Sequence, residues 1–394
     1  MSERKKVRLG EIAVSIVDGD RGKNYPKHNE FVKSGFCLFL STTNVTRDGL
    51  RFGDFNQFIT HEKDSKLHKG KLRRGDIVLT TRGTLGNVGY YSNDVPYDNV
   101  RINSGMVILR SNEELLASGF VYSYLRSADF MAQVQARRSG AAQPQLPIKD
   151  LGSLLIPLPP LAIQRRIAAI LSDYDAAIAN CRKQIVLLEE AAMRLYREWF
   201  AEGKGKKTRL GDVVDFDPPT KLVKGARNFS VPMSALQINS MVLDRSQFEI
   251  TTGNSGSKFR NGDTLLARIT PCLENGKTAF VFGVDEDGAC GSTEFIVMRS
   301  KSVNPYVVYL LARTEQFRKV AIGSMSGADG RQRARREIIA EYETVVPEKR
   351  VIDTFGNLCD PMFKGIESLQ NQIYALVEAR DRLLPKLMSG EVAV

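Results

Sequence analysis

The sequence predicts an α+β protein: two similar globular domains separated by two long coiled-coil helices, arranged as an internal duplication with pseudo-two-fold character. Three observations predict it. Short motifs recur at a near-constant spacing, two stretches carry the same heptad pattern, and the excess basic charge lies outside those stretches. The expected divisions are 1–158 for the first globular domain, 159–203 for the first helix, 204–346 for the second globular domain and 347–394 for the second helix.

The repeat comes first, because a fixed long period decides the architecture. Arg8-Leu9-Gly10-Glu11-Ile12 returns as Arg209-Leu210-Gly211-Asp212-Val213, 201 positions on. Arg74-Gly75-Asp76-Ile77-Val78-Leu79 returns loosely as Asn261-Gly262-Asp263-Thr264-Leu265-Leu266, 187 positions on. Phe130 matches Phe317, and Ser139-Gly140-Ala141 matches Ser326-Gly327-Ala328, at the same spacing. The first copy therefore holds about 14 extra residues between Gly10 and Gly75.

Each copy ends in a helix. In the first, apolar or small residues fall at Ile163, Ile167, Ile170, Tyr174, Ile178, Cys181, Ile185, Leu188, Ala192, Leu195 and Trp199. In the second they fall at Val351, Phe355, Leu358, Met362, Ile366, Leu369, Ile373, Leu376, Arg380, Leu383 and Leu387, a constant 188 positions on. Steps of three and four alternate, which is a heptad seam. Both runs carry one extra step of four at the same place, a stutter that locally unwinds a coiled coil. Pro159-Pro160 and Pro347 stop the preceding strand and open each helix. Arg380 interrupts the seam where the first copy has Ala192; it either sets register or reaches solvent.

The globular segments have a different texture. Short β-type runs such as Asp76-Ile77-Val78-Leu79-Thr80 and Phe295-Ile296-Val297-Met298 are bounded by Gly, Asp and Asn. A shorter helical stretch is expected near 120–134 and again near 306–320. Gly203-Lys204-Gly205-Lys206-Lys207 reads as a linker.

The chain of 394 residues carries 56 Lys and Arg against 45 Asp and Glu, a net charge of +11. The excess is +7 over 1–158 and +5 over 204–346, against zero over 159–203 and −1 over 347–394. Charge confined to two globular domains, with neutral helices between, suits two polyanion-binding modules on a protein-built spacer. On loops of the first domain the candidate DNA contacts are Lys69, Lys71 and Arg73, then Arg82 within Thr81-Arg82-Gly83-Thr84-Leu85-Gly86, then Arg137 and Arg138 leading to Gln143 and Gln145. In the second domain they are Arg268, read as the counterpart of Arg82, with Lys277 and the run Arg331, Gln332, Arg333 and Arg335. Arg bridges guanine O6 and N7, and Gln bridges adenine N6 and N7, so this mixture suits major-groove reading.

Catalytic chemistry finds no home. Asp217-Pro218-Pro219-Thr220 resembles the tetrapeptide of adenine-N6 methyltransferases, but Thr220 cannot stack on a flipped base. Asn275-Gly276-Lys277-Thr278 resembles the end of a Walker A loop, but Pro271 stands where that loop needs glycine. Cys37, Cys181, Cys272, Cys290 and Cys359 form no CxxC pair, and His28, His61 and His68 have no partner at metal-ligand spacing. No apolar run approaches the ~20 residues that span a bilayer. No apolar core follows the basic start MSERKKVRLG, so a cytoplasmic protein without membrane contact is expected.

The order of domains and helices resembles the specificity subunit of type I restriction–modification systems. The local matches are Arg8-Leu9-Gly10, Arg74-Gly75-Asp76-Ile77, the Ile156-Pro157-Leu158-Pro159-Pro160-Leu161-Ala162-Ile163-Gln164 lead-in, and the end Leu384-Pro385-Lys386-Leu387-Met388-Ser389-Gly390-Glu391-Val392. The second lead-in, Val346-Pro347-Glu348-Lys349-Arg350, departs by lacking the double proline and the Gln. The resemblance implies two target-recognition domains, each reading half of a split double-stranded DNA target. It implies antiparallel helices that fix the unread spacer. It implies a non-catalytic chain that binds no cofactor and recruits two modification subunits, which use S-adenosylmethionine to methylate adenine. Where a restriction subunit exists, two copies join and use ATP with Mg. The alternative reading is a coiled-coil assembly protein whose basic domains bind RNA or another acidic partner, to be told apart by salt-sensitive binding without double-stranded sequence preference.

Overall fold

The computed structural model describes residues 4–140, 144–200, 205–223, 225–284, 288–328 and 330–394. Two compact units are present: Met1–Ala177 with Ala375–Val394, and Ile178–Tyr374. Each unit therefore contains one globular domain and a stretch of both long helices.

In the first unit, strand Lys6–Arg8 pairs antiparallel with Leu155–Pro157, which closes the domain's beginning onto its end. The Arg8-Leu9-Gly10 motif thus marks the domain seam, with Leu9 only 1% exposed. An antiparallel sheet follows in the order Val14–Asp18, Met106–Ser111, Ile77–Thr80, Val88–Tyr90. Beside it, Cys37–Leu40 pairs parallel with Val100–Ile102 and antiparallel with Phe58–Ile59.

The second unit repeats this frame. Lys206–Arg209 pairs with Glu343–Val346, and the main sheet runs Val214–Phe216, Phe295–Ser300, Thr264–Ala267, Thr278–Phe280. Asn228–Val231 and Ala289–Gly291 reproduce the parallel pair. One buried ion pair is duplicated too. Arg110 clasps Asp76 through Nε (2.8 Å) and Nη2 (2.6 Å), and Arg299 clasps Asp263 through the same atoms at 2.8 and 2.7 Å. Each Asp also accepts the main-chain N–H three residues earlier, from Arg73 and Arg260. The intervening Gly75 and Gly262 have φ of +90° and +89°, a region that disfavours L side chains. The Gly-Asp pair of the repeat is therefore a structural turn and not a ligand site.

The single helical stretches expected near 120–134 and 306–320 are each two helices. They are Ser118–Leu125 with Ala128–Arg137, and Pro305–Ala312 with Glu315–Gly323. Ser127 and Thr314 break them, because each side chain caps the next helix, accepting from the N–H of Phe130 and Phe317.

The long helices run Leu161–Phe200 and Lys349–Ser389, 40 and 41 residues. At 1.5 Å per residue each is about 60 Å long. They pair antiparallel in both units. In the first, Ile167 and Leu171 share a core with Leu384, Leu387 and Met388, and Leu383 packs against it. In the second, Cys181 lies opposite Gln372, and the rings of Tyr196, Trp199 and Phe200 surround Phe355. Gln164 ties the first helix to its domain: Nε2 donates to the Pro159 carbonyl at 2.8 Å and Oε1 accepts the Ala117 N–H at 3.0 Å.

The expected seam positions differ in burial. Ile178, Ile185, Ile366 and Leu369 are buried, and Leu188, Leu195, Ile373 and Leu376 are half-buried. Leu358, expected in the seam, is 44% exposed, and Cys359 and Phe363 are buried in its place. The cause is a second client. Phe363 packs against Phe280 and Tyr306 of the globular domain, so this stretch of helix turns its apolar face to two neighbours at once. Arg380 sets register: Nη1 donates to Asp175 Oδ1 at 2.7 Å, and Asp175 Oδ2 also takes Arg126 at 2.5 Å.

Candidate nucleic-acid interface

In each domain the loop after the third strand of the main sheet is stitched by main-chain hydrogen bonds to a polar hairpin. In the first, the N–H groups of Thr81 and Arg82 donate to the Gly105 carbonyl, and Leu146 N–H donates to Thr81 O at 3.0 Å. Ser139 and Gln145 exchange two main-chain bonds of 2.9 Å, and Arg82 bridges Gln145. In the second, Arg268 N–H donates to Glu294 O at 2.9 Å, and Ala334 N–H donates to Arg268 O at 2.7 Å. Ser326 and Arg333 exchange the equivalent pair, and Ile269 bridges Arg333.

This register corrects one expectation. Arg82 corresponds to Ile269, and Arg268 corresponds to Thr81. Arg82 and Arg268 are one position apart on the shared frame, so they are not counterparts.

The structure brings Arg82 and Gln145 together in one domain, and Arg268, Arg331, Gln332 and Arg333 in the other. Their side chains differ in how they are used. The guanidinium groups of Arg82, Arg331 and Arg335 make no hydrogen bond or ion pair among the described residues. Arg268 Nε is buried without a hydrogen-bond partner. Arg333 is committed to Glu294, through Nε at 2.9 Å and Nη2 at 2.6 Å. Those bonds hold the Glu294 carboxyl below the usual carboxylate range.

Other candidates are engaged in structure or stand apart. Lys71 donates to Asp64 at 2.6 Å, and the buried Arg101 takes the same carboxylate at 2.6 Å. The Lys69 carbonyl accepts from Arg101 Nη1, while the Lys69 side chain is exposed. Arg73 is exposed, but it precedes strand Ile77–Thr80 and so lies at the opposite end from Arg82. Arg137 turns back to Ser153 Oγ and the Gln133 carbonyl, and Arg138 reaches Gln135. Lys277 Nζ donates to the Met233 carbonyl at 3.2 Å. Gln143 lies outside the described residues.

The two lookalike motifs also have structural uses. Asp217 Oδ1 accepts the Val297 N–H at 2.9 Å, Oδ2 takes Arg336 at 2.7 Å, and Thr220 Oγ1 accepts from Arg299. Gly276 has a φ of +72° and lies against the Arg318 guanidinium, which donates to the Glu274 carbonyl at 2.9 Å, so this turn serves the fold. Among the described residues no three His, Cys, Asp or Glu side chains gather to hold a metal, and no helix is long and apolar enough to cross a membrane. Reading the sequence missed Glu294. Its position in the repeat is Gly105, so duplication offered no signal.

Comparison with known proteins agrees with this architecture. The family model for the type I restriction modification DNA specificity domain matches residues 1–190. The type I restriction enzyme MjaIX specificity subunit of Methanocaldococcus jannaschii is 24% identical over 82% of this chain and 78% of its own length. The MjaVIII specificity subunit of the same organism is 21% identical over 98% of this chain and 92% of its own. The crystal structure of a type I restriction–modification S subunit from M. genitalium superposes with a TM-score of 0.55 at 14% identity, covering 98% of this chain and 96% of that one, a likeness of fold. With the duplicated frame and the paired helices, these likenesses make the chain similar along most of its length to type I restriction enzyme specificity subunits, with the DNA specificity domain of that family matched over residues 1–190.

Proposed function

We propose that each globular domain reads one half of a split double-stranded DNA target, and that the paired helices set the unread spacer and bind two modification subunits. The observation that carries this reading is the contrast in arginine use. Arg101, Arg110, Arg126, Arg299, Arg313 and Arg380 are tied to carboxylates inside the fold. Arg82, Arg331 and Arg335, on the two stitched hairpin surfaces, are not tied. A guanidinium on a rigid loop with its donors unspent suits a base edge or a phosphate. Adenine methylation would come from the modification subunits with their S-adenosylmethionine, and ATP-driven cleavage, with Mg, from two restriction subunits where the system has them.

The test is co-expression with the neighbouring modification subunit in a methylation-free host, followed by mapping of methylated adenines. A split motif with methylation in both halves is expected. One heptad inserted into both helices should lengthen the spacer and leave both half-sites unchanged; an unchanged spacer would sink the ruler. Arg331→Ala should cost tenfold or more in discrimination at the second half-site alone, roughly the worth of one bidentate base contact.

A further inference from the structure

The main-chain frame places an acidic side chain, Glu294, beside Arg268 and Arg333 of the second domain. Glu294 follows the turn before strand Phe295–Ser300, and its carbonyl accepts the Arg268 N–H. Its carboxylate takes Arg333 bidentately, and Arg333 is the residue whose main chain pairs with both Ser326 and Ile269. Glu294 therefore fastens the hairpin that bears Arg331 to the loop that bears Arg268. The side chain is 22% exposed, so the carboxylate also meets whatever approaches that surface. A phosphate drawn to Arg268 or Arg333 by charge alone meets this carboxylate as well, and like charges nearby oppose the contact.

The first domain lacks the device. Its equivalent position is Gly105, whose carbonyl receives the Thr81 and Arg82 N–H groups and which has no side chain to hold Gln145. The loops of the two halves are thus stitched alike through main chain; the first adds neutral side-chain bonds, from Thr81 Oγ1 to the Gly105 carbonyl at 3.1 Å and from Ser139 Oγ to the Gln145 carbonyl at 3.4 Å, where the second adds the Glu294 carboxylate.

We propose that Glu294 is a positioning residue for the second half-site: it holds the Arg333 hairpin in reading geometry and, by its negative charge, suppresses binding to DNA of the wrong sequence. This rests on the recognition reading above.

The test uses the full chain co-expressed with its modification subunit. Methylated adenines are mapped for the unaltered protein, Glu294→Gln and Glu294→Asp. Purified complexes are then titrated with a duplex bearing the mapped motif and with one of scrambled sequence, at two salt concentrations. Glu294→Gln should broaden the second half of the motif at one or two positions and leave the first half strict. It should also bind the scrambled duplex about threefold to tenfold more tightly while discrimination falls about tenfold. A merely structural role predicts weaker binding to both duplexes, which would overturn the proposal. An unaltered motif with unaltered discrimination would overturn it as well, while leaving the recognition reading intact. Should Glu294→Gln abolish methylation altogether, Glu294→Asp decides. Recovery of the motif supports the carboxylate, and continued loss counts against it. If the unaltered protein methylates no split motif, the recognition reading fails, and this inference fails with it.

Discussion

The two globular domains keep one frame and spend their side chains on it differently. Both close a strand pair at the domain seam, both clasp a buried Asp with an Arg from the neighbouring strand, and both lay a hairpin on the loop after the third strand. Main-chain bonds and the Asp–Arg clasp are what duplication preserved. What diverged is the rim: Arg82 with Gln145 in one copy, and Arg268 with the Arg331–Arg335 run in the other, displaced by one frame position and joined by Glu294. The difference teaches that position on the frame and identity of the rim side chain vary separately. Two copies of one fold can then present unlike surfaces without altering their cores.

The largest test of the shared frame is removal of the clasp. Asp76→Ala and Asp263→Ala each leave a largely buried guanidinium unpaired, at a cost of about 3–5 kcal/mol. The Asp side chains are 3% and 1% exposed, so the two losses should be similar. Denaturant unfolding of both variants measures them. A difference beyond about 2 kcal/mol would break the equivalence of the two frames.

A smaller effect separates how the domains grip the helices. In the second unit Glu189 accepts from the Tyr309 hydroxyl at 2.6 Å and pairs with Arg313 at 3.2 Å, and it is 13% exposed. Burial and the nearby Glu189 carboxylate push the Tyr309 phenol well above its ordinary range, so it stays a neutral donor. In the first unit Asp175 sits between Arg126 and Arg380 at 32% exposure. Glu189→Ala should cost about 2–3 kcal/mol, and Asp175→Ala about 1–2 kcal/mol, because solvent screens the more exposed site. The reverse order would show that holding two arginines outweighs burial.

The smallest effect is in pH. The Arg333 hydrogen bonds depress the Glu294 carboxyl, so its contribution is full above the unfolded value, about 4.3 for a glutamate. That contribution is lost as pH falls through the lower folded value. The stability gap between the protein and Glu294→Gln should therefore be present at pH 7 and shrink as pH falls through the depressed folded value, read from urea unfolding across an acid series. A gap that persists in acid would mean the ion pair does not fasten the hairpin. The first domain has Gly105 there and offers no such gap.

Much of the frame was legible in the sequence because it is periodic. The constant 188 offset placed both long helices, and the 187 offset placed Asp76 on Asp263. Periodicity does not report which neighbour a buried face serves, so Leu358 was assigned to the seam that Cys359 and Phe363 occupy. Nor does composition report where a charge is spent. Arg137 and Lys71 look like Arg82 in the sequence, yet two of the three are engaged by Ser153 and Asp64 across the fold. The pairing of Arg82 with Arg268 followed resemblance of residue type over the 187 spacing, which points to Ile269. The partners of the clasp, Arg110 and Arg299, were invisible because they lie on a different strand from the motif they complete.

The grips at Asp175 and Glu189 have a consequence for the duplicated fold. By the 188 offset, Asp175 answers to Phe363 and Glu189 to Val377, so neither acid recurs at the matching place on the other helix. Arg126 and Arg313 occupy the same place in the two copies at the 187 offset, and each finds its carboxylate on the first long helix, at Asp175 and at Glu189. Each globular domain is therefore fastened to its own length of that helix through the same arginine of the repeat, and loss of either acid leaves that arginine unpaired.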